Sequence, residues 1–147
     1  EEAIRAGGVA SLAGYATLRR EVAYGRNSRI DLLLEHPERP PCYVEIKNVH
    51  MSRRPGLAEF PDCPTARGAK HLAELAAMVS SGARAVMLYV IQMRADRFAL
   101  AADIDPAYAA AFGAARAAGV EALAHVAAVT PTGITLAEPV PVIAPAG

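Results

Sequence analysis

The chain is organised around two apolar runs, YGRNSRIDLLL at residues 24–34 and CYVEIKNVH at residues 42–50. Both runs are rich in Ile, Leu and Val, which favours β-strands, and the short proline-rich turn between them predicts a hairpin. Asp31 lies within the first run. Glu45 and Lys47 lie two residues apart in the second run, so in a strand their side chains point to the same face.

Charges inside apolar strands need an explanation, because a buried carboxylate or ammonium is costly unless it is paired or bound to a metal ion. The hairpin is expected to bring Asp31 close to Glu45 and Lys47, with both carboxylates within reach of one metal ion. Carboxylates offer the oxygen ligands that Mg²⁺ prefers, and a neighbouring lysine can orient an attacking water or stabilise charge on a phosphate. The alternative is an exposed Glu-x-Lys ion pair, which is common on strands.

Several separate blocks of the sequence resemble the sugar fermentation stimulation protein family, and the similarity runs over nearly the whole chain. The blocks are YGxNSRID at 24–31, CYVExKN at 42–48, FPD at 60–62, RGxKHL at 67–72 and GVEAL at 119–123. The resemblance implies an α/β fold with a restriction-endonuclease-like PD-(D/E)xK core, in which a central mixed sheet is flanked by helices and the domain binds DNA. Family members also carry an N-terminal OB-fold domain. Residues 1–147 are therefore expected to form one nuclease-like DNA-binding domain that begins just after it.

The two strands and the resemblance together define the candidate site. Asp31 and Glu45 are the expected ligands of Mg²⁺ or Mn²⁺, and Lys47 is the expected catalytic residue near the attacked phosphate. Glu21 matches an acidic position in the family, and in the wider nuclease fold an extra carboxylate ahead of the Asp often assists the metal. We therefore include Glu21 as a catalytic candidate, with an ordinary solvent-facing glutamate as the alternative.

Basic and polar side chains are predicted to flank this site and to contact DNA. They lie in the turn at 25–28, in a predicted loop at 51–64 and at the start of a predicted helix at 65–81. The dipole of that helix disfavours basic residues in its first turns, which points to an anionic ligand. The candidates are Arg26, Asn27, Ser28, Arg29, Arg53, Arg54, Arg67, Lys70 and His71. The alternatives are that the arginines of the turn only neutralise Asp31, that the loop is merely solvated, and that His71 is a packed or hydrogen-bonded residue.

The composition limits the classes of function. A chain of 147 residues with 53% hydrophobic content is expected to fold as one domain. The 15 basic residues balance the 15 acidic ones, which argues against a histone-like binder, so DNA binding requires a local basic patch. The absence of Trp argues against a base-stacking platform. Cys42 and Cys63 are expected to be reduced. The sequence has no long apolar run and no signal peptide, which predicts a cytoplasmic protein with no membrane partner. The sequence leaves open whether the protein forms a homodimer.

Hydrophobic periodicity predicts the remaining elements. The run at 84–92 is apolar throughout, which is typical of a strand buried on both faces, and the strand–helix–strand order from 42 to 92 predicts a parallel crossover. Asp105 and Pro106 are a typical N-cap and first residue of a helix. The predicted elements are strands at 17–24, 84–92, 120–129 and 134–137, helices at 65–81 and 105–118, a turn at 131–133, and a tail from 138 that extends along the surface.

The sequence is compatible with three interpretations of the site. In the first, the domain is a Mg²⁺-dependent phosphodiesterase that acts on DNA. In the second, it is a non-cleaving, sequence-nonspecific DNA-binding regulator of sugar catabolism, as the family name suggests. In the third, the charges of Asp31, Glu45 and Lys47 form a structural ion-pair network.

Overall fold

The structure, a computed structural model, describes residues 1–130 and 133–144. A short 3-10 turn at Ala10–Leu12 connects the first helix to the first strand. The described elements are α1 (Glu2–Arg5), β1 (Thr17–Tyr24), β2 (Ser28–His36), β3 (Arg39–Val49), β4 (Met51–Arg54), β5 (Leu57–Phe60), α2 (Ala66–Ser80), β6 (Arg84–Ile91), β7 (Arg97–Leu100), α3 (Pro106–Ala117), β8 (Glu121–Thr130), β9 (Gly133–Pro139) and β10 (Val142–Ile143). The predicted strand at 17–24 and both long helices are confirmed, and the predicted turn at 131–133 begins outside the described residues.

The main sheet has six strands in the order β1-β2-β3-β6-β8-β9. Strands β1, β2 and β3 are antiparallel, β3, β6 and β8 are parallel, and β9 returns antiparallel to β8. The expected α/β fold with a mixed sheet flanked by helices is therefore confirmed. The parallel part is larger than predicted, because a second crossover through α3 adds β8 beside β6.

Strand β6 runs through the centre of this sheet and is buried on both faces, as its uninterrupted apolar sequence predicts. Met87 and Tyr89 belong to the core cluster under α2 and α3. Val86 and Leu88 belong to the cluster on the other face, which the segment at residues 4–12 covers. Alternate side chains of one strand thus join two cores, which fixes the register of the sheet.

A second sheet of four strands, in the order β10-β7-β5-β4, corrects the prediction of a loop at 51–64. The Pro55-Gly56 turn joins β4 to β5 in a hairpin, and β5 pairs in parallel with β7, about forty residues further along the chain. The prediction was wrong because strands of four residues show too little periodicity, and their pairing partner is distant in sequence. The tail also differs from the prediction, since β10 pairs with β7 and Val140 is buried.

The first turns of α2 and α3 are joined by one carboxylate. Asp105 Oδ1 accepts a hydrogen bond from the N–H of Tyr108 at 2.9 Å, as an N-cap should. Asp105 Oδ2 accepts from the N–H of Thr65 at 2.7 Å, and Thr65 is itself the N-cap residue of α2. This side chain therefore holds the start of α2 in place beside the main sheet. Within the described residues, no helix combines the length and the apolar composition that crossing a membrane requires.

We predict that Asp105→Asn lowers the melting temperature at neutral pH. The N–H groups of Thr65 and Tyr108 hold the pKa of Asp105 below its usual range. The stabilisation is then fully present above the ordinary carboxyl pKa of about 4 and is lost as the pH falls through the lowered value. Thermal unfolding followed by circular dichroism should show a difference from wild type at about pH 7 that shrinks towards about pH 2. The exposed Asp62→Asn is the control, and equal effects of the two substitutions would contradict the assignment.

Candidate functional site

Asp31 sits where strands β2 and β3 stop pairing. The paired residues run from His36 and Arg39 at the turn to Leu32 and Val44. One residue further on, Asp31 Oδ2 accepts a hydrogen bond from the N–H of Ile46 at 2.6 Å. The Asp31 side chain thus accepts a hydrogen bond from a main-chain N–H of β3 that would otherwise bond to the main chain of a neighbouring strand. The start of β2 pairs with β1 alone, which leaves an opening between β2 and β3.

Glu21 lies opposite Asp31 on the neighbouring strand β1. The pairs Arg20–Leu32 and Val22–Ile30 flank this position on both sides. The φ angle of Glu21 is 51°, in the left-handed region that costs a non-glycine residue about 1–3 kcal/mol. Arg29 Nη1 donates to the main-chain oxygen of Glu21 at 2.7 Å and so supports this conformation. Such backbone strain is concentrated at functional sites in proteins, which favours the catalytic interpretation of Glu21 over an ordinary surface glutamate.

Glu45 is buried, with its two carboxylate oxygens in different environments. Oε1 accepts a hydrogen bond from Lys47 Nζ at 2.8 Å and also contacts Nδ1 of His71. Oε2 is buried and has no hydrogen-bond partner among the described residues. The carboxylate is therefore held through one oxygen, while the hydrogen-bonding capacity of the other is unused among the described residues.

Most of the predicted site residues line one cavity of about 380 Å³. The lining residues are Glu21, Asn27, Ser28, Arg29, Asp31, Glu45, Arg67, Lys70 and His71. Lys47 adjoins this set through its ion pair with Glu45, and Arg26 adjoins it because Lys70 Nζ donates to the Arg26 main-chain oxygen at 2.8 Å. The turn between β1 and β2, the start of α2 and the two site strands thus converge.

Arg53 and Arg54 do not line this cavity, although the sequence grouped them with the other basic candidates. They lie on β4 of the second sheet. Arg53 donates to Glu59 at 2.7 Å and to Asp103 at 2.6 Å, so its charge is neutralised there. Ser28 and His71 line the cavity but are buried, and the structure places them in hydrogen-bonded contacts rather than on an exposed surface.

The surroundings of Asp31 disfavour its ionised form. Burial raises the pKa of Asp31, the hydrogen bond from Ile46 partly offsets this, and the nearby charge of Glu45 raises the pKa further. A bound cation would relieve this repulsion. No group of three His, Cys, Asp or Glu side chains in the described part of the chain has its donor atoms together as a metal-binding set. The residues present fit a hard cation that takes one or two carboxylates and keeps several waters.

Two residues of the site, Glu74 and Tyr24, were not predicted from the sequence. Glu74 Oε1 accepts from the N–H of Arg26 at 3.0 Å, and its Oε2 is buried without a partner among the described residues. Burial alone would raise the pKa of Glu74, but hydrogen bonds from Ser28 and Arg26 outweigh it and lower the pKa. The sequence feature that could have identified Glu74 is its position, because it is an acidic residue on the apolar side of α2, beside Leu75.

Tyr24 gave no chemical signal in the sequence. Its hydroxyl is buried and has no partner among the described residues. Burial and the nearby charges of Glu45 and Glu74 raise the pKa of Tyr24. The hydroxyl therefore stays protonated and adds a donor to a region that is rich in carboxylate oxygens.

Comparison with known proteins identifies the family. The model of the sugar fermentation stimulation protein RE domain matches residues 1–133. The chain belongs to this family. A sugar fermentation stimulation protein homolog of Azorhizobium caulinodans is 60% identical over 143 residues, which cover 97% of this chain and 60% of that protein. The homolog of Rhodospirillum centenum is 65% identical over 134 residues, which cover 90% of this chain and 58% of that protein.

A solved member of the family has the same fold. The structure of Pyrococcus furiosus SfsA in complex with Ca²⁺ matches with a TM-score of 0.87 at 29% identity and covers 97% of this chain and 62% of that one. The chain therefore spans about three fifths of the length of these family members.

We predict that Asp31→Asn, measured in the presence of a chelator, raises the melting temperature at neutral pH. The raised pKa of Asp31 means that its ionised form is disfavoured in the folded protein. Asn keeps an oxygen that can accept from Ile46 but removes the repulsion with Glu45. Glu121→Gln is the control of opposite sign, because the hydrogen bond from Arg84 lowers the pKa of Glu121 and its ionised form is stabilising. A lower melting temperature for Asp31→Asn would contradict this account of the site.

Proposed function

We propose that this domain is a phosphodiesterase that acts on DNA and depends on Mg²⁺ or Mn²⁺, with a PD-(D/E)xK-type site. One observation carries the proposal. Glu45 is buried and lines the same cavity as Asp31; one of its carboxylate oxygens pairs with Lys47, and the other has no partner among the described residues. A buried carboxylate oxygen without a partner is costly in a scaffold, whereas a metal ligand needs one.

Each acidic residue has a role in this proposal. Asp31 and Glu45 hold the metal ion, and the strained Glu21 opposite Asp31 supplies a further carboxylate for a metal-bound water. The ion, when bound, polarises the phosphate and lowers the pKa of a water molecule. Lys47 has three N–H donors and uses one on Glu45, so two remain for the attacking water or a phosphate oxygen.

The solved relative supports the choice of a hard cation. SfsA of Pyrococcus furiosus was solved in complex with Ca²⁺. Ca²⁺ and Mg²⁺ both prefer oxygen ligands, although Mg²⁺ is smaller and keeps more of its water. Carboxylates that suit one of these ions at a partly hydrated site can also bind the other.

DNA binding in this proposal depends on four exposed basic side chains around the cavity. Arg26 and Arg29 flank the tip of the β1–β2 turn, and Arg67 and Lys70 lie on the first turns of α2. The formal net charge of the chain is +0, so this local patch must supply the attraction to phosphates. The patch lies beside the carboxylates, which would place a bound phosphate next to the metal ion.

The second candidate function is DNA binding without cleavage, as part of the regulation of sugar catabolism. The observation that favours it is the lack of a three-ligand metal set within the described residues. A domain of this kind would keep the basic patch and would not turn over a phosphodiester. Cleavage and binding must therefore be measured separately.

We predict that Lys47→Met abolishes cleavage of plasmid DNA in Mg²⁺ or Mn²⁺ but leaves metal binding and the melting temperature nearly unchanged. Lys47 is partly exposed, and Glu45 keeps its contact with His71 when the lysine is removed. Cleavage is followed by gel electrophoresis and metal binding by calorimetry. DNA binding by the wild type with no cleavage in either metal would favour the second function. Unfolding of Lys47→Met would favour a structural ion pair.

We predict that the double variant Arg67→Ala, Lys70→Ala weakens DNA binding to a similar extent on all sequences and reduces its salt dependence. Each lost phosphate contact lowers the slope of log K against log salt by about 0.9 on duplex DNA. The matched control is Arg54→Ala, Arg94→Ala, which also removes two exposed charges, but from positions that do not line the cavity. Equal slopes for the first variant and the wild type would place DNA elsewhere on the domain.

A further inference from the structure

We infer that His71 is a positioning residue that holds the Glu45 carboxylate so that a single oxygen, Oε2, faces the metal ion. This inference rests on the proposed metal site and assigns to His71 a role other than contact with DNA. Its basis is a set of hydrogen bonds in the interior between α2 and β3.

The ring of His71 is buried, with 4% of the residue exposed, and both ring nitrogens have partners. Arg67 Nε approaches His71 Nε2 at 3.4 Å, and Nδ1 contacts Oε1 of Glu45. An arginine Nε always carries a proton and is a donor. Nε2 therefore accepts from Arg67, and the tautomer that fits both contacts carries its proton on Nδ1, where it is donated to Glu45.

This arrangement determines which oxygen of Glu45 is available. Oε1 accepts from the rigid imidazole of His71 and from the ammonium of Lys47. Oε2 is left buried and unpartnered among the described residues. A carboxylate fixed in this way is a preorganised one-oxygen ligand, and partners of this kind commonly orient the groups that bind a metal directly.

The packing of α2 holds the His71 side chain, which is the donor to Glu45, in place. Leu72 and Leu75 are fully buried in the core under the helix, and the Thr65 side chain caps the helix by accepting from Gly68 at 3.0 Å. His71 therefore projects from a fixed backbone. Arg67 and Lys70, by contrast, are exposed on the same turns of the helix. One end of α2 thus offers basic groups to DNA and, on its inner side, a donor to Glu45.

The test compares Mn²⁺ binding, by calorimetry, in the 147-residue wild type and three variants. His71→Leu removes the donor and should weaken Mn²⁺ binding about 10- to 100-fold. His71→Asn restores an N–H donor at the same number of bonds from Cβ as Nδ1 and should recover most of the affinity. Ala73→Ser changes an exposed neighbour on the same helix, which does not line the cavity, and should leave Mn²⁺ binding close to wild type. Melting temperatures confirm that each variant is folded.

The outcomes separate this inference from the proposed function. Wild type that binds no Mn²⁺ overturns the metal site and the inference together. If wild type and His71→Leu bind Mn²⁺ with equal affinity, the role of His71 alone is overturned. The same follows if His71→Asn binds Mn²⁺ no more tightly than His71→Leu. If His71→Leu does not fold, NMR of the wild type still tests the inference by locating the proton on the His71 ring. A proton on Nδ1 and none on Nε2 is expected, and a proton on Nε2 with none on Nδ1 overturns the inference.

Discussion

The hydrogen bond from the Ile46 N–H to the carboxylate of Asp31 determines the geometry of the site. Main-chain donors of a strand normally bond to the neighbouring strand, and a hydrogen bond to a charged acceptor contributes about 1.5–3 kcal/mol. When a side chain takes that donor, β2 no longer has to follow β3. The start of β2 stays with β1, and the cavity beside this opening is lined by Asp31 and by the buried Glu45. This single exchange of hydrogen-bond partner therefore separates the two strands and places the Asp31 carboxylate at the edge of the cavity.

Helix α2 connects the acidic and the basic halves of the site. His71 contacts Glu45 on β3, while Glu74 accepts from the main chain of Arg26 in the β1–β2 turn. Lys70 adds a second bond to that turn through the Arg26 main-chain oxygen. Because an α-helix is rigid over these few residues, the distance between the proposed metal ligands and the proposed phosphate contacts is set by a single element. A shift of α2 would alter both at once.

The sequence predicted the parts of this site that depend on local pattern. The strand period placed Glu45 and Lys47 on one face, and the hairpin brought Asp31 to them, because both signals lie within a few residues. The four-residue strands of the second sheet were missed, since their pairing depends on contacts far along the chain. For the same reason the neutralisation of Arg53 by Asp103, fifty residues away, was not predictable. The contact of His71 with Glu45 likewise required the crossover of α2 over β3 to be known.

The distribution of satisfied and unsatisfied groups argues against a purely structural ion-pair network. Away from the site, charged pairs are well matched, as in the two hydrogen bonds between Arg84 and Glu121 at 2.6 and 2.8 Å. Within and around the cavity, the structure combines the positive φ of Glu21, the raised pKa of Asp31 and the Oε2 of Glu45, which has no partner in the described part of the chain. A scaffold gains nothing from features that each reduce its stability. Their concentration at one cavity is typical of a site that is completed by a ligand.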